Sequence, residues 1–187
     1  MTIRFATAND CKALLAIYAQ YIDTPVTFEC KLPMEQEFSR RIADIAKKYP
    51  YLVCEEGNQI IGYAYAHQHM EREAYQWGAG LSIYLDEHFT SKGIGTKIYH
   101  TLIEVVKLQG FKTVYAGVTI PNTKSERLHC SLGFQILGTY HKTGYKNGKW
   151  HDVQWFEKQI APYDCPPEPI TPISEIPREK LFALGIA

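Results

Sequence analysis

Ser82-Ile83-Tyr84-Leu85, then Asp86-Glu87-His88-Phe89-Thr90-Ser91-Lys92, then Gly93-Ile94-Gly95, then Thr96-Lys97-Ile98-Tyr99-His100-Thr101-Leu102-Ile103-Glu104-Val105-Val106 is the stretch that decides the fold. A short apolar strand gives way to a polar loop, and glycines one residue apart open an amphipathic helix. The start of a helix leaves its first backbone N–H groups unpaired, and the helix dipole favours an anion there. The stretch therefore predicts a docking turn for a phosphate-bearing ligand. Gly-x-x-x-x-Gly-Lys-Ser/Thr and the third glycine of a dinucleotide fingerprint are both absent. A tight turn without ligand is the other reading of Gly93 and Gly95.

Outward from this stretch the chain alternates strands and helices. Toward the N-terminus, a strand is expected at 2–6, a helix at 10–21 behind caps Asn9 and Asp10, an extended loop from Thr24 to Glu29, and a helix at 33–48 with Pro at its start. Strands follow at 51–55 and 59–67 around Glu56-Gly57-Asn58, then an irregular piece at 70–75 and a strand at 76–85. Toward the C-terminus, Gly110 ends the helix at 93–109, and 112–119 alternates as a strand. Asn122 or Thr123 caps a short helix to Leu132, and strands at 134–140 and 150–158 flank a turn at 145–149. The order β-α-α-β-β-β-α-β-α-β-β predicts a mixed, mostly antiparallel sheet with helices on its faces, an α/β fold.

With 187 residues the chain suits one domain, expected at 1–160. Residues 161–187 are proline-rich and read as a tail over the surface or left mobile, with a short helix at 178–184. Lys plus Arg and Asp plus Glu number 20 each, so neither a nucleic-acid footprint nor an acidic-membrane surface is expected. The 5 cysteines form no CxxC pair and read as reduced thiols. No secretory pattern opens the chain and no apolar run reaches the roughly 20 residues of a membrane span, so a cytoplasmic protein is expected. His67 and His69 alternate on a strand without an assignable third ligand, so no metal is expected.

The strand-loop-Gly-x-Gly-helix of 82–108 resembles the acetyl-CoA motif of the GCN5-related N-acetyltransferase (GNAT) superfamily. So does Asn122 to Phe134, an Asn, a short helix and a Gly-Phe exit. Five further pieces are similar to its phosphinothricin and methionine-sulfone branch: Val26-Thr27-Phe28, Tyr49-Pro50-Tyr51-Leu52-Val53, Arg72 with Ala74-Tyr75 and Trp77, Gln109-Gly110-Phe111-Lys112, and Gly148-Lys149-Trp150-His151-Asp152-Val153. The resemblance spans about residues 2–158 and implies the GNAT fold with splayed central strands.

It implies that backbone N–H groups from Thr90, Ser91, Lys92, Gly93, Ile94, Gly95 and Thr96 hold the CoA pyrophosphate, with Lys92 as a cation. Relatives usually carry Gln or Arg at the places of Thr90 and Ser91, which implies weaker phosphate clamping here. It implies that the main chain of Ile83, Tyr84 and Leu85 pairs with the pantetheine, with an oxyanion donor near Leu85. Asn122 is a cofactor contact by the same resemblance, and a helix cap by its own chemistry. His129 stands where relatives protonate the departing thiolate; a satisfied half-buried His is its other reading. Relatives keep a Glu base where this chain has Gly80. Glu29, His151 or Asp152 are the remaining candidates, each with a plain structural alternative. Phe28, Arg72 and Tyr75 match acceptor-pocket residues, Arg72 being suited to a carboxylate or phosphinate.

The implied reaction is acetyl-CoA-dependent N-acetylation of a small amino acid or analogue, by direct attack on the thioester. Alternatives are a peptide amine or polyamine acceptor, or a degenerate acyl-CoA-binding module lacking its base. Relatives commonly form homodimers, and the aromatic last strands offer an interface.

Overall fold

The computed structural model describes residues 1–187. Seven strands form one sheet in the order β1-β2-β3-β4-β5-β7-β6. They are β1 (Thr2–Phe5), β2 (Tyr51–Glu56), β3 (Gln59–Gln68), β4 (Gly78–Leu85), β5 (Thr113–Ile120), β6 (Gln135–Lys146) and β7 (Lys149–Gln159). Neighbours are antiparallel except β4 and β5, which run parallel. The mixed, mostly antiparallel sheet expected from the sequence is therefore the observed one.

Helix α1 (Cys11–Ala19) and helix α2 (Glu35–Ala46) cover one face, against Tyr51, Val53 and Tyr63. Helix α3 (Ile94–Leu108) covers the other, and helix α4 (Thr123–Ser131) packs against β5. Ile98, Leu102, Val105 and Val106 of α3 are fully buried. Each such side chain contributes roughly 1.5–3 kcal/mol, which fixes α3 to the sheet.

Several boundaries differ from the sequence reading, and those of α2 and β6 have local reasons. Helix α2 begins at Glu35, with Met34 as its cap and Glu35 and Glu37 in its first turn. It ends before 48 because Pro50 disfavours helical backbone at Tyr49. Strand β6 runs on to Lys146, well past 140, so the turn narrows to Asn147 and Gly148, with φ of 52° and 76°. The extension is masked in the sequence by a bulge between Tyr140 and Gly144, where Lys142 takes φ of 49°.

Residues past Ile160 lie over the surface. Glu168 O accepts from Trp77 Nε1, and Gln109 Nε2 donates to Thr171 O. Helix α5 (Arg178–Ala183) follows, and Ile186 bridges to Ile3 at the β1 edge. Ile136, Leu137, Tyr140, Tyr145 and Trp150 of β6 and β7 are exposed. No helix is long and apolar enough to cross a membrane.

Asp10 ties the first strand to the first helix. Its carboxylate accepts both terminal nitrogens of Arg4, each at 2.8 Å, and the Thr7 N–H at 2.6 Å. Glu55 also pairs with Arg4. The Arg4 guanidinium, helped by Thr7, holds the Asp10 carboxyl below its ordinary 3.8. A depressed carboxyl stabilises the fold above its unfolded pKa, and that contribution is lost as pH falls through the folded value. Asp10→Asn is therefore expected to lower stability at pH 7 by about 2 kcal/mol, since Glu55 remains to pair with Arg4. The difference from wild type should shrink toward pH 3, as measured by urea titrations at both pH values.

Candidate functional site

Strands β4 and β5 pair only at Gly78–Thr113, Ala79–Val114 and Gly80–Tyr115. Beyond Gly80 and Tyr115 they diverge, although β4 continues to Leu85 and β5 to Ile120. Main-chain groups facing the gap lose their strand partners and need others. A cleft opens there, lined by Leu81 to Tyr84 of β4, Ala116 to Thr119 of β5, Tyr99 of α3, Asn122, Ser125 and His129 around α4, and Val26 from the loop after α1.

The β4–α3 turn stands beside this cleft. Gly93 takes φ of +78° and Ser91 +62°, which bends the loop into the helix. The first helical bond runs from Lys97 N–H to Gly93 O at 3.1 Å. Ile94, Gly95 and Thr96 N–H therefore have no helical acceptor. Gly95 serves another purpose: a Cβ there would stand 3.3 Å from Leu85 Cδ1 and 3.7 Å from Ile83 Cδ1, so its absence lets α3 approach β4. Leu85 O accepts from the Tyr21 hydroxyl at 2.5 Å, which pins the strand end. Lys92 Nζ lies 4.8 Å above the Phe89 ring. Lys124 adds a second cation, donating to Thr90 Oγ1 at 3.1 Å. The sequence reading passed over Lys124, because only the fold brings the first turn of α4 to the α3 loop.

On the cleft wall, Asn122 Oδ1 accepts from Ser125 N–H, and Glu126 accepts from Asn122 N–H at 2.7 Å. Asn122 thus both caps α4 and lines the cleft. His129 is buried, at 2% exposure. Its Nδ1 donates to Ser125 O at 2.8 Å, so Nε2 accepts from the Tyr99 hydroxyl at 3.2 Å. Burial pushes the His129 pKa down and the Tyr99 pKa far up, so both are neutral at pH 7. In the sequence Tyr99 is only one residue of the expected helix; its hydroxyl partner comes from α4, thirty residues on.

The other predicted residues are placed apart from the splay. Glu29 is ion-paired with Arg41 over a second, aromatic-lined hollow that includes Tyr51, Tyr63 and Tyr65. His151 is buried, and its Nε2 donates to Lys146 O at 3.0 Å. Asp152 accepts from Lys142 N–H and His141 Nδ1, which hold its carboxyl below the ordinary range. Phe28 lies against Gly144, where a Cβ would come within 2.3 Å of its ring. Arg72 and Tyr75 are exposed on the short 3-10 turn between β3 and β4 and line neither hollow. No group of three His, Cys, Asp or Glu is placed to hold a metal ion.

A family model described as Acetyltransferase (GNAT) domain matches residues 3–155. Phosphinothricin N-acetyltransferase of Streptomyces viridochromogenes is 35% identical over 175 residues, covering 93% of this chain and 95% of that protein. The L-methionine sulfoximine/L-methionine sulfone acetyltransferase of Salmonella typhimurium is 30% identical, covering 89% of this chain and 98% of its own length. A crystal structure of a phosphinothricin acetyltransferase from Sinorhizobium meliloti in complex with AcCoA superimposes with a TM-score of 0.84 at 32% identity, covering 90% of this chain and 92% of that one.

Proposed function

We propose that this chain, which belongs to the GNAT acetyltransferase family, transfers the acetyl group of acetyl-CoA to the α-amine of a small amino acid or analogue of the phosphinothricin or methionine sulfone type. The observation that carries the reading is the splayed β4–β5 cleft, with the α3 turn beside it and Tyr99 and His129 in its wall. The names of the relatives support the acceptor class, and the AcCoA complex of one of them supports the donor.

The residues present fit acetyl-CoA, whose contribution when bound is an activated acetyl thioester. Free N–H groups of Ile94, Gly95 and Thr96, with those of Ser91, Lys92 and Gly93, suit the pyrophosphate, whereas Thr90 N–H is already bonded to Glu87 O; Lys92 and Lys124 supply positive charge. The unpaired edges of β4 from Ile83 to Leu85 offer main-chain partners to amides, and Asn122 lines the same groove. His129 is assigned the proton given to the leaving sulfur. With Nδ1–H held on Ser125 O, Nε2 carries no proton of its own, so it takes up the one that the attacking nitrogen releases and passes it to the sulfur. The likeness to the phosphinothricin-type relatives supports Phe28, Arg72 and Tyr75 on the acceptor side, Phe28 as an apolar wall and Arg72 as a partner for an anionic side chain, although in the free protein they lie outside the cleft lining.

Thiol release over a panel of amino acids, phosphinothricin, methionine sulfone and methionine sulfoximine tests the reading. Turnover is expected on at least one of these, and none once its α-amine is blocked. Turnover confined to peptide amines or polyamines would replace the acceptor class. Acetyl-CoA binding without turnover on any amine would sink the assignment.

A further inference from the structure

We propose that His67 is the proton acceptor for the attacking amine, from a ring laid across Gly80 at the closed end of the splayed cleft. The inference deepens the N-acetyltransferase reading above and rests on it. Antiparallel pairing sets His67 of β3 directly opposite Gly80 of β4. Opposite residues share a face of the sheet. Gly80 has no side chain there, and the imidazole fills the space: a Cβ at 80 would lie 2.3 Å from His67 Cε1 and 2.8 Å from Nε2. Gly80–Tyr115 is also the last rung before β4 and β5 part, and the next residues, Leu81 and Ser82, line the cleft. An amine held at that root is in reach of His67, directly or through one water molecule.

The ring is held in one tautomer. Its Nδ1 lies 3.0 Å from Gln68 O, and a carbonyl only accepts, so Nδ1 carries the hydrogen. Nε2 then keeps its lone pair, and no protein group bonds to it. Burial pushes the His67 pKa below 6.5 against the pull of the Gln68 carbonyl, so the ring is neutral at pH 7. Tyr65 faces it from its own strand, and His69, just past the end of β3, stacks on Tyr115 of β5 at 4.1 Å. From the α1–α2 side, Glu29 and Arg41 are committed to each other. No carboxylate, Lys or Arg is bonded to the His67 ring. Among the expected bases, His151 spends its Nε2 hydrogen on Lys146 O and Asp152 is tied to Lys142 and His141.

In the step, one ammonium proton passes to His67 Nε2, giving imidazolium. The freed nitrogen pair forms the C–N bond to the acetyl carbonyl carbon, and the C–S bond breaks with its electron pair on sulfur. The nitrogen's second proton leaves by way of His129, which gives one to the sulfur, so that CoA departs as the thiol. His67 returns its proton to solvent.

The experiment is kcat/KM against pH for wild type, His67→Gln, His69→Gln and the exchange His67→Gly with Gly80→Glu. Wild type is expected to show an acid limb below 6.5, the ordinary value for the His67 group. His67→Gln is expected to lose about 100-fold at pH 7 and regain about tenfold per pH unit toward the pKa of the amine itself, with unchanged acetyl-CoA affinity. The exchange should recover activity, with its acid limb moved into the carboxylate range, and His69→Gln should keep the wild-type limb. A His67→Gln enzyme with a wild-type profile, an equal loss at every pH, or a limb that moves with His69→Gln instead would overturn the proposal. A wild type that acetylates no amine would overturn the reading beneath it as well, so the two failures are distinct.

Discussion

Lys146→Ala is expected to lower stability by about 4 kcal/mol, a fall of about 10 °C in Tm for a chain of this size. Lys146 is 5% exposed, yet no carboxylate meets its ammonium. Its Nζ instead donates to Thr24 O at 2.7 Å, Thr27 O at 2.6 Å and Glu29 O at 2.8 Å. All the hydrogens of an ammonium are thus used, and the loop is wrapped around them. Removing the donor strands carbonyls that have no other partner, each at roughly 1–3 kcal/mol where water cannot follow. Lys146→Arg should not substitute, because a planar fork cannot converge on acceptors arranged around a point charge. The same loop carries Val26 to the cleft wall and Phe28 against Gly144. KM for the amine should therefore rise while acetyl-CoA affinity stays near that of wild type. Thermal melting within about 2 °C of wild type would show that the loop does not depend on the clamp.

Local chemistry made part of this site legible. The α3 turn could be read because its signals are adjacent: Gly93 supplies the left-handed residue, Gly95 the close approach, and Asn122 caps α4 through its own third neighbour. The order of elements along the chain could be read because hairpin turns and helix ends announce themselves. What was not legible depends on contacts distant in sequence. Lys146 reads as a turn cation in a polar run, and only the fold brings Thr24 to Glu29 around it. His67 reads as one of a pair of alternating histidines. Its relation to Gly80 is set by cross-strand register, across a connection whose length the sequence does not convert into a register. Adding Glu at residue 80 alone would not restore a conventional base, since the His67 ring already fills the place of its Cβ.

Gly93→Asp is expected to weaken acetyl-CoA binding far more than Gly93→Asn, and the ratio between them isolates charge from shape. Both side chains have room, since nothing lies within 4 Å of a Cβ built at Gly93. Both must adopt φ near +78°, which Asn and Asp tolerate better than other residues, at about 1 kcal/mol. The strain is common to the pair, so it cancels. What remains is a carboxylate beside the free N–H groups of Ile94, Gly95 and Thr96, where the proposed pyrophosphate sits. Two unit charges about 5 Å apart at an effective dielectric near 20 repel by about 3 kcal/mol, and salt reduces this to about 2. Kd for acetyl-CoA should then rise roughly 30-fold from Asn to Asp, and the ratio should shrink as ionic strength is raised. Lys92 and Lys124 stand close enough to soften the effect but not to cancel it, being occupied over Phe89 and on Thr90. Titration calorimetry on the pair decides the matter, because equal affinities at low salt would mean that no phosphate docks on this turn.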